Sequence, residues 1–334
     1  MSVNEICELD FFEFLRKWGG IYTAFITHKT LMEKEGERVY VNSFRRADIT
    51  HIHSFGPYAL FKLLTSRPTV VSSHVVPQTI IGSFKGAKLL YPIARKYLKF
   101  FYNRASVVVA LSPFAKKELK DLGVRKEIAV ISNPINSEMF HRDSVLRKEG
   151  RAKYSLTEDE FVIVGVGQII PRKGVADFVA VAKKFPDYTF VWIGGEAVKG
   201  IFPSSEEVLK EAPSNMKLAG LQPYAKMSLY YNMADVFLFP SYQEVASMVI
   251  LEAAGCGLPL VLRDLPQYKI LYGDGYIACR KGEDFTQAIQ DLAEDHAFRV
   301  KAIAQSENLA GRFTMQAIGK KFLALYNSLL ISKS

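Results

Sequence analysis

PSYQEVASMVILEAAGCGLPLV, residues 240–261, sets two glutamates, Glu244 and Glu252, eight positions apart. The apolar run 236–239 just before it reads as a buried strand that Pro240-Ser241 closes. Ser247 is a suitable N-cap for a helix from about Met248 to Ala254, and Gly255 and Gly257 end it. Glu244 then belongs to the loop at the strand's carboxyl end, and Glu252 to the helix that follows. In an open α/β sheet that crevice is where ligands bind. A helix N-terminus there offers free N–H groups and a partial positive charge to a phosphate. Two carboxylates beside it suit a ligand rich in hydroxyls, such as a ribose and a sugar. A solvated surface helix would carry the same glutamates, so this stretch alone leaves both readings open.

Outward from this point, apolar runs alternate with helical patterns. Strand patterns occupy 39–42, 49–54, 69–73, 106–111 and 128–132, with a weaker one near 3–7, and helical patterns include 21–35, 88–102 and 113–122. A second series runs through 161–168, 189–194, 216–221, 236–240, 259–263 and 275–279, with helices at 175–185, 224–233 and 284–295. Such alternation implies βαβ units and mostly parallel sheets. The charged, irregular stretch 136–151 between the two series reads as a linker. The chain is therefore expected to be α/β, with two doubly wound domains at 1–149 and 150–334; a last helix at about 316–330 could return to the first.

The 334 residues are enough for two such domains, and 49% hydrophobic against 23% charged content excludes a disordered chain. Cys7, Cys256 and Cys279 fit neither a disulfide framework nor a zinc site. No apolar run approaches the roughly 20 residues that span a bilayer, and no signal pattern opens the chain. The net charge of +9 is unevenly placed: residues 49–117 hold ten Lys or Arg and no Asp or Glu, while the rest holds 33 basic and 34 acidic residues. One half of one domain thus faces a polyanionic partner, a nucleic acid or an anionic membrane.

FVIVGVGQIIPRKGV, residues 161–175, is a strand that ends in glycines, followed by a basic turn and a helix. Gly167 lets backbone approach a ligand, and Arg172 and Lys173 bring positive charge to where a diphosphate could sit. The spacing matches neither a G-x-x-x-x-G-K-[ST] loop nor the G-x-G-x-x-G fingerprint. There is no Asp-x-Asp pair and no His/Cys cluster at metal spacing, so no metal or other cofactor is expected.

Taken together, GVGQIIPRKG, VWIGG at 191–195 and the Glu244/Glu252 pair before GCGLPLV resemble the retaining, nucleotide-sugar-dependent glycosyltransferases of family 4. Gly19-Gly20, HIHSFGP at 51–57, SSH ending at His74 and ISNPIN at 131–136 add to the resemblance. It implies the GT-B fold, two Rossmann-like domains with an interdomain cleft. Among its members the chain is most similar to bacterial glycolipid synthases that add glucose or galactose to diacylglycerol or glucosyl-diacylglycerol.

By that resemblance Lys173 and Arg172 would neutralise the donor diphosphate, Glu252 would accept from the ribose, and Glu244 would hold hydroxyls of the hexose. Backbone near Ser247 and Met248 would cradle a phosphate, His74 would face the sugar across the cleft, and Gly19 and Gly20 would lie against the donor. Gln168 stands where the family often has arginine, and Val245-Ala246-Ser247 replaces its usual Gly-Phe-Gly. A general base is not identified.

The basic half of the first domain supplies an acceptor end. Residues 83–104, SFKGAKLLYPIARKYLKFFYNR, interleave Lys85, Lys88, Arg95, Lys96, Lys99 and Arg104 with Leu89, Leu90, Tyr91, Ile93, Phe100 and Phe101. That mixture suits an interfacial helix whose rings enter the headgroup boundary. It would equally suit a helix whose apolar side faces its own core. No helix-turn-helix, RNP or zinc pattern supports nucleic acid. The expected enzyme transfers a hexose from UDP-glucose or UDP-galactose to a membrane lipid, as a peripheral protein of the cytosolic membrane face. The alternatives are the same chemistry on a cell-surface saccharide, or a non-catalytic membrane-binding protein of this fold.

Overall fold

A computed structural model of the chain describes residues 1–8, 20–80, 87–195 and 205–331. Those residues form two compact units, one from residues up to 134 together with 313–331, the other from 135–312.

The first unit is built on a six-stranded parallel sheet in the order β2-β1-β3-β4-β5-β6. The strands are β1 (Ser2–Ile6), β2 (Arg38–Val41), β3 (Ile49–Ile52), β4 (Thr69–Ser72), β5 (Val107–Ala110) and β6 (Glu127–Val130). Helices α1 (Gly20–Lys34), α2 (Pro57–Thr65), α3 (Ala87–Tyr102) and α4 (Pro113–Leu122) connect them. The central strands ITHI, TVVS and VVVA are buried at every position, as expected of parallel strands covered on both faces. α4 shows why its boundaries fall where they do. Ser112 caps Ala115 N–H, Pro113 starts the first turn, and Gly123 closes the last in a left-handed conformation.

The second unit repeats the plan with β7 (Val162–Val166), β8 (Thr189–Ile193), β9 (Met216–Gly220), β10 (Val236–Phe239), β11 (Leu260–Arg263) and β12 (Ile277–Cys279). Its longer helices are α5 (Ser144–Lys153), α6 (Val175–Ala182), α7 (Met227–Asn232), α8 (Met248–Gly255), α9 (Pro266–Tyr272), α10 (Gly282–Glu294) and α11 (His296–Gly311). A last helix, α12 (Met315–Ile331), belongs to the first unit, where it packs on α1. The order β12-β11-β10-β7-β8-β9 reverses direction between β7 and β10. That pair is a topological switch point. In the first sheet the reversal falls between β1 and β3.

The stretch 136–151, read from sequence as a linker, is structured and belongs to the second unit, so the units part at 134/135 rather than near 150. Asp143 caps α5 by accepting from Val145 and Leu146 N–H. Arg147 and Arg151, one turn apart on one face, then grip the two oxygens of Asp235 at 2.9 and 2.8 Å. Asp235 also accepts from Val162 N–H at 2.8 Å, which ties this charge cluster to the start of β7. Local charge density resembled a solvated linker because the carboxylate that satisfies it lies some eighty positions downstream.

Candidate active site

The second sheet's switch point brings together the two motifs read from sequence. β7 and β10 pair in register, Val236 with Ile163 and Phe237 with Val164. The segments leaving their carboxyl ends are therefore neighbours. After β7 the chain passes Gly167 and a half-buried Gln168, then makes a single 3-10 turn, Pro171–Lys173, ended by Gly174 at φ +73°. A Cβ on Gly174 would overlap the Pro240 carbonyl, so only glycine lets this turn press on the end of β10. Tyr242 N–H and Ser241 Oγ both donate to the Arg172 carbonyl, at 2.8 and 3.1 Å, and lock the two segments together.

Lys173 Nζ lies 2.5 Å from Glu244 Oε1, with Arg172 Nη1 at 3.4 Å and the Ser241 hydroxyl at 2.8 Å from the same oxygen. Gln267 of α9 donates to the Glu244 carbonyl at 2.9 Å, and Arg172 Nη1 to the Gln243 carbonyl at 2.6 Å. Burial alone would raise the Glu244 pKa, but the Lys173 and Arg172 charges outweigh it and hold the carboxyl below its ordinary value. Burial lowers the Lys173 pKa against the pull of Glu244. Arg172 has a buried Nε with no hydrogen-bond partner among the described residues. The turn is thus a fixed pair of cations held in place by one carboxylate.

Ser247 caps α8 in position, but its side chain makes no cap hydrogen bond. Glu252, one turn further on, is 2% exposed. Tyr231 of α7 donates to its Oε2 at 2.8 Å, whereas among the described residues its buried Oε1 has no hydrogen-bond partner. Burial pushes this carboxyl up to about 7, with Tyr231 and Tyr224 acting the other way. Tyr231 was not among the residues singled out from sequence. It lies in a different helix, and no local pattern links it to Glu252.

In the first unit, His74 follows β4 and is half-buried, and its Nε2 stands 3.2 Å from His53 Nδ1. His53 Nε2 reaches Glu5 Oε2 at 2.7 Å, and His28 Nδ1 reaches Glu5 Oε1 at 3.0 Å. His51 contacts the Tyr326 hydroxyl at 2.5 Å and the Ser72 hydroxyl at 2.8 Å. Glu5, His28, His51 and His53 offer donor atoms within 4.8 Å of one another, the compactness a metal ion requires. Each of them is already hydrogen-bonded to a protein group, so the cluster is satisfied as a network. Burial lowers the pKa of His51, His53 and His74.

Gly20 opens α1 instead of lying in a loop, and a Cβ there would meet nothing within 4 Å. Gly19, Lys85 and the side chain of Lys88 lie outside the described residues. Along α3, Leu98, Phe101 and Tyr102 are core residues, so Phe101 is not available to a membrane. It sits one position from Phe100, which at helical spacing turns it about 100° around the helix, onto the core side. Leu89 and Ile93 are 82% and 67% exposed, and Leu90 and Phe100 are exposed beside them. Lys96, Lys99 and Arg104 are exposed, with Arg104 4.9 Å over the Phe100 ring, and Arg95 donates to the Asp121 carbonyl at 3.1 Å. Among the described residues no helix is long and apolar enough to cross a membrane.

Comparison with known proteins agrees with this geometry. Residues 147–309 match the family model for glycosyl transferases group 1, and residues 18–139 match that for glycosyltransferase family 4. The chain is 32% identical over 290 residues to the alpha-galactosylglucosyldiacylglycerol synthase of Streptococcus pneumoniae, covering 84% of this chain and 77% of that protein. It is 24% identical over 317 residues to the processive diacylglycerol alpha-glucosyltransferase of Acholeplasma laidlawii, covering 94% and 95%. In fold it is similar to Anabaena HepE, solved with UDP and glucose, at a TM-score of 0.76 and 16% identity over 98% of this chain and all of that one. The chain therefore belongs to the family 4 glycosyltransferases and is a hexosyltransferase of the GT-B fold.

Proposed function

We propose that this enzyme is a retaining transferase that moves glucose or galactose from a UDP-sugar to diacylglycerol or glucosyl-diacylglycerol at an anionic membrane surface. One observation carries the donor assignment. Among the described residues, two buried polar atoms near the switch point, Arg172 Nε and Glu252 Oε1, have no hydrogen-bond partner. A nucleoside diphosphate supplies what each lacks, phosphate oxygens to the donor and ribose hydroxyls to the acceptor. Lys173 and Arg172 meet the charge that grows on the diphosphate as the glycosidic bond breaks. Glu244 holds hexose hydroxyls, and a contact of His74 with a sugar hydroxyl is part of the same proposal. The departing phosphate takes the proton of the attacking hydroxyl on the face it leaves, so configuration is kept and no separate base is required.

The acceptor assignment rests on α3 and on the names of the two relatives. Its exposed Leu89, Leu90, Ile93 and Phe100 stand beside Lys96, Lys99 and Arg104. This is the pairing an interfacial helix uses on acidic lipid. Each basic residue near such a surface contributes about 1 kcal/mol. Lys96→Ala with Lys99→Ala is therefore expected to weaken partition onto phosphatidylglycerol vesicles on the order of 30-fold. Sedimentation with those vesicles reads the effect, and unchanged partition would remove α3 from the membrane contact.

Because the charge of the leaving group is met by fixed side chains, transfer is expected to persist in excess EDTA, and a loss restored by a divalent ion would refute that part. The assignment as a whole is tested by incubating the protein with UDP-glucose or UDP-galactose and vesicles containing diacylglycerol. Mass spectrometry should find the hexosyl lipid. Transfer to a soluble oligosaccharide with none to lipid would overturn the acceptor.

A further inference from the structure

The network at the first sheet's reversal point does more than fill space. Glu5 and His53 are fully buried, and they form one line with His74: Glu5 Oε2 to His53 Nε2 at 2.7 Å, then His53 Nδ1 to His74 Nε2 at 3.2 Å. Proton counting along this line leaves one arrangement. Burial favours the neutral acid, but the histidine partners outweigh it and hold the Glu5 pKa at about 2, so the carboxylate can only accept. His53 Nε2 therefore carries the N–H. Burial keeps His53 neutral, and a neutral imidazole has a single N–H, which leaves Nδ1 as a lone pair. His74 must then donate from Nε2. His74 is itself kept neutral by burial, so its Nδ1 is an acceptor, and among the described residues nothing hydrogen-bonds to it.

We infer that Glu5 and His53 are positioning residues that fix the tautomer of His74, so that its Nδ1 is presented as a hydrogen-bond acceptor to a hydroxyl of the substrate. This rests on the proposed contact of His74 with a sugar hydroxyl. It adds that the contact has a defined polarity, set two residues away in the core. Glu5→Gln inverts the polarity when its carbonyl stays on His28 Nδ1, which donates to Glu5 Oε1 at 3.0 Å, because its NH2 then faces His53. The new amide can donate to His53 Nε2, His53 then donates from Nδ1, and His74 is left with its N–H on Nδ1.

The full-length protein labelled with 15N-histidine reads this directly in long-range 1H–15N spectra, with His74 assigned by its absence in His74→Ala. In the wild type Nδ1 of His74 should be the unprotonated nitrogen, and in Glu5→Gln the protonated one. Turnover of Glu5→Gln with UDP-sugar and lipid should fall about tenfold, the loss of one neutral hydrogen bond. In a His74→Ala background Glu5→Gln should lower turnover no further. A protonated His74 Nδ1 in the wild type overturns the inference even if Glu5→Gln does not fold. A folded Glu5→Gln in which His53 has moved its proton to Nδ1 while the His74 tautomer is unchanged also overturns it. A reversed tautomer with undiminished turnover overturns the substrate contact. Absence of transfer by the wild type would instead sink the proposed function, and the spectra would still decide the tautomer.

Discussion

Lys173→Ala is expected to lower turnover at saturating UDP-sugar by on the order of 10²- to 10³-fold, the effect of deleting one fixed electrostatic stabiliser of a growing charge. Lys173 is the closest cation to Glu244, and its turn is clamped to the end of β10. It arrives in the reaction already placed, with no cost of reorganisation at the moment the bond breaks. The variant should fold, because Glu244 keeps Arg172 at 3.4 Å and the Ser241 hydroxyl at 2.8 Å. Lys173→Met, which preserves the stem, separates lost charge from lost packing. Turnover and thermal unfolding measured side by side decide the matter: normal turnover excludes Lys173 from stabilising the leaving diphosphate.

Glu244 has a folded pKa below its ordinary value, so the stability it contributes is present above that value and fades as pH falls toward the folded pKa. Without Lys173 that acid-side loss should shrink.

Glu252→Gln should move stability and donor binding in opposite directions. The Glu252 pKa is raised by burial from 4.5 to about 7. The unfolded chain therefore ionises first, and the folded chain without donor loses stability as pH rises from 4.5 to 7, by about 3 kcal/mol in all. Gln cannot ionise, and its carbonyl still receives the Tyr231 hydroxyl. Above pH 7 the variant should therefore unfold at a higher temperature than the wild type. Donor binding should suffer, because a carboxylate accepting ribose hydroxyls is replaced by an amide. A hydrogen bond to a charged group contributes roughly 1.5–3 kcal/mol, so the donor KM should rise on the order of 10- to 100-fold. In the wild type that KM should also rise as pH falls below about 7, while in the variant it stays flat. A variant with unchanged KM would show that Oε1 meets no ligand group.

Much of this was legible in the chain because it is written locally. Uninterrupted runs such as VIVGV and VVVA can only be strands covered on both faces, and the switch-point loops follow from where those runs end. The basic turn at 171–173 and the two glutamates stand in such loops or just beyond them. Sequence reasoning stopped where a partner lies far along the chain. Asp235 turns an apparent linker into a pinned helix, Tyr231 holds Glu252, and Tyr326 meets His51 across 275 positions. Periodicity around Phe100 and Phe101 could say that α3 has an apolar side; only the packed structure says which ring belongs to the core.

α12 completes a unit whose other elements were made before residue 135, and Tyr326 reaches His51 from it. On the ribosome, everything from 135 to 312 emerges before that helix does. The nascent amino-terminal half must wait, its histidines unsealed, while its successor can already have folded. The first unit is therefore completed only after the second has been made, a reversal of the usual order in which domains mature along a chain.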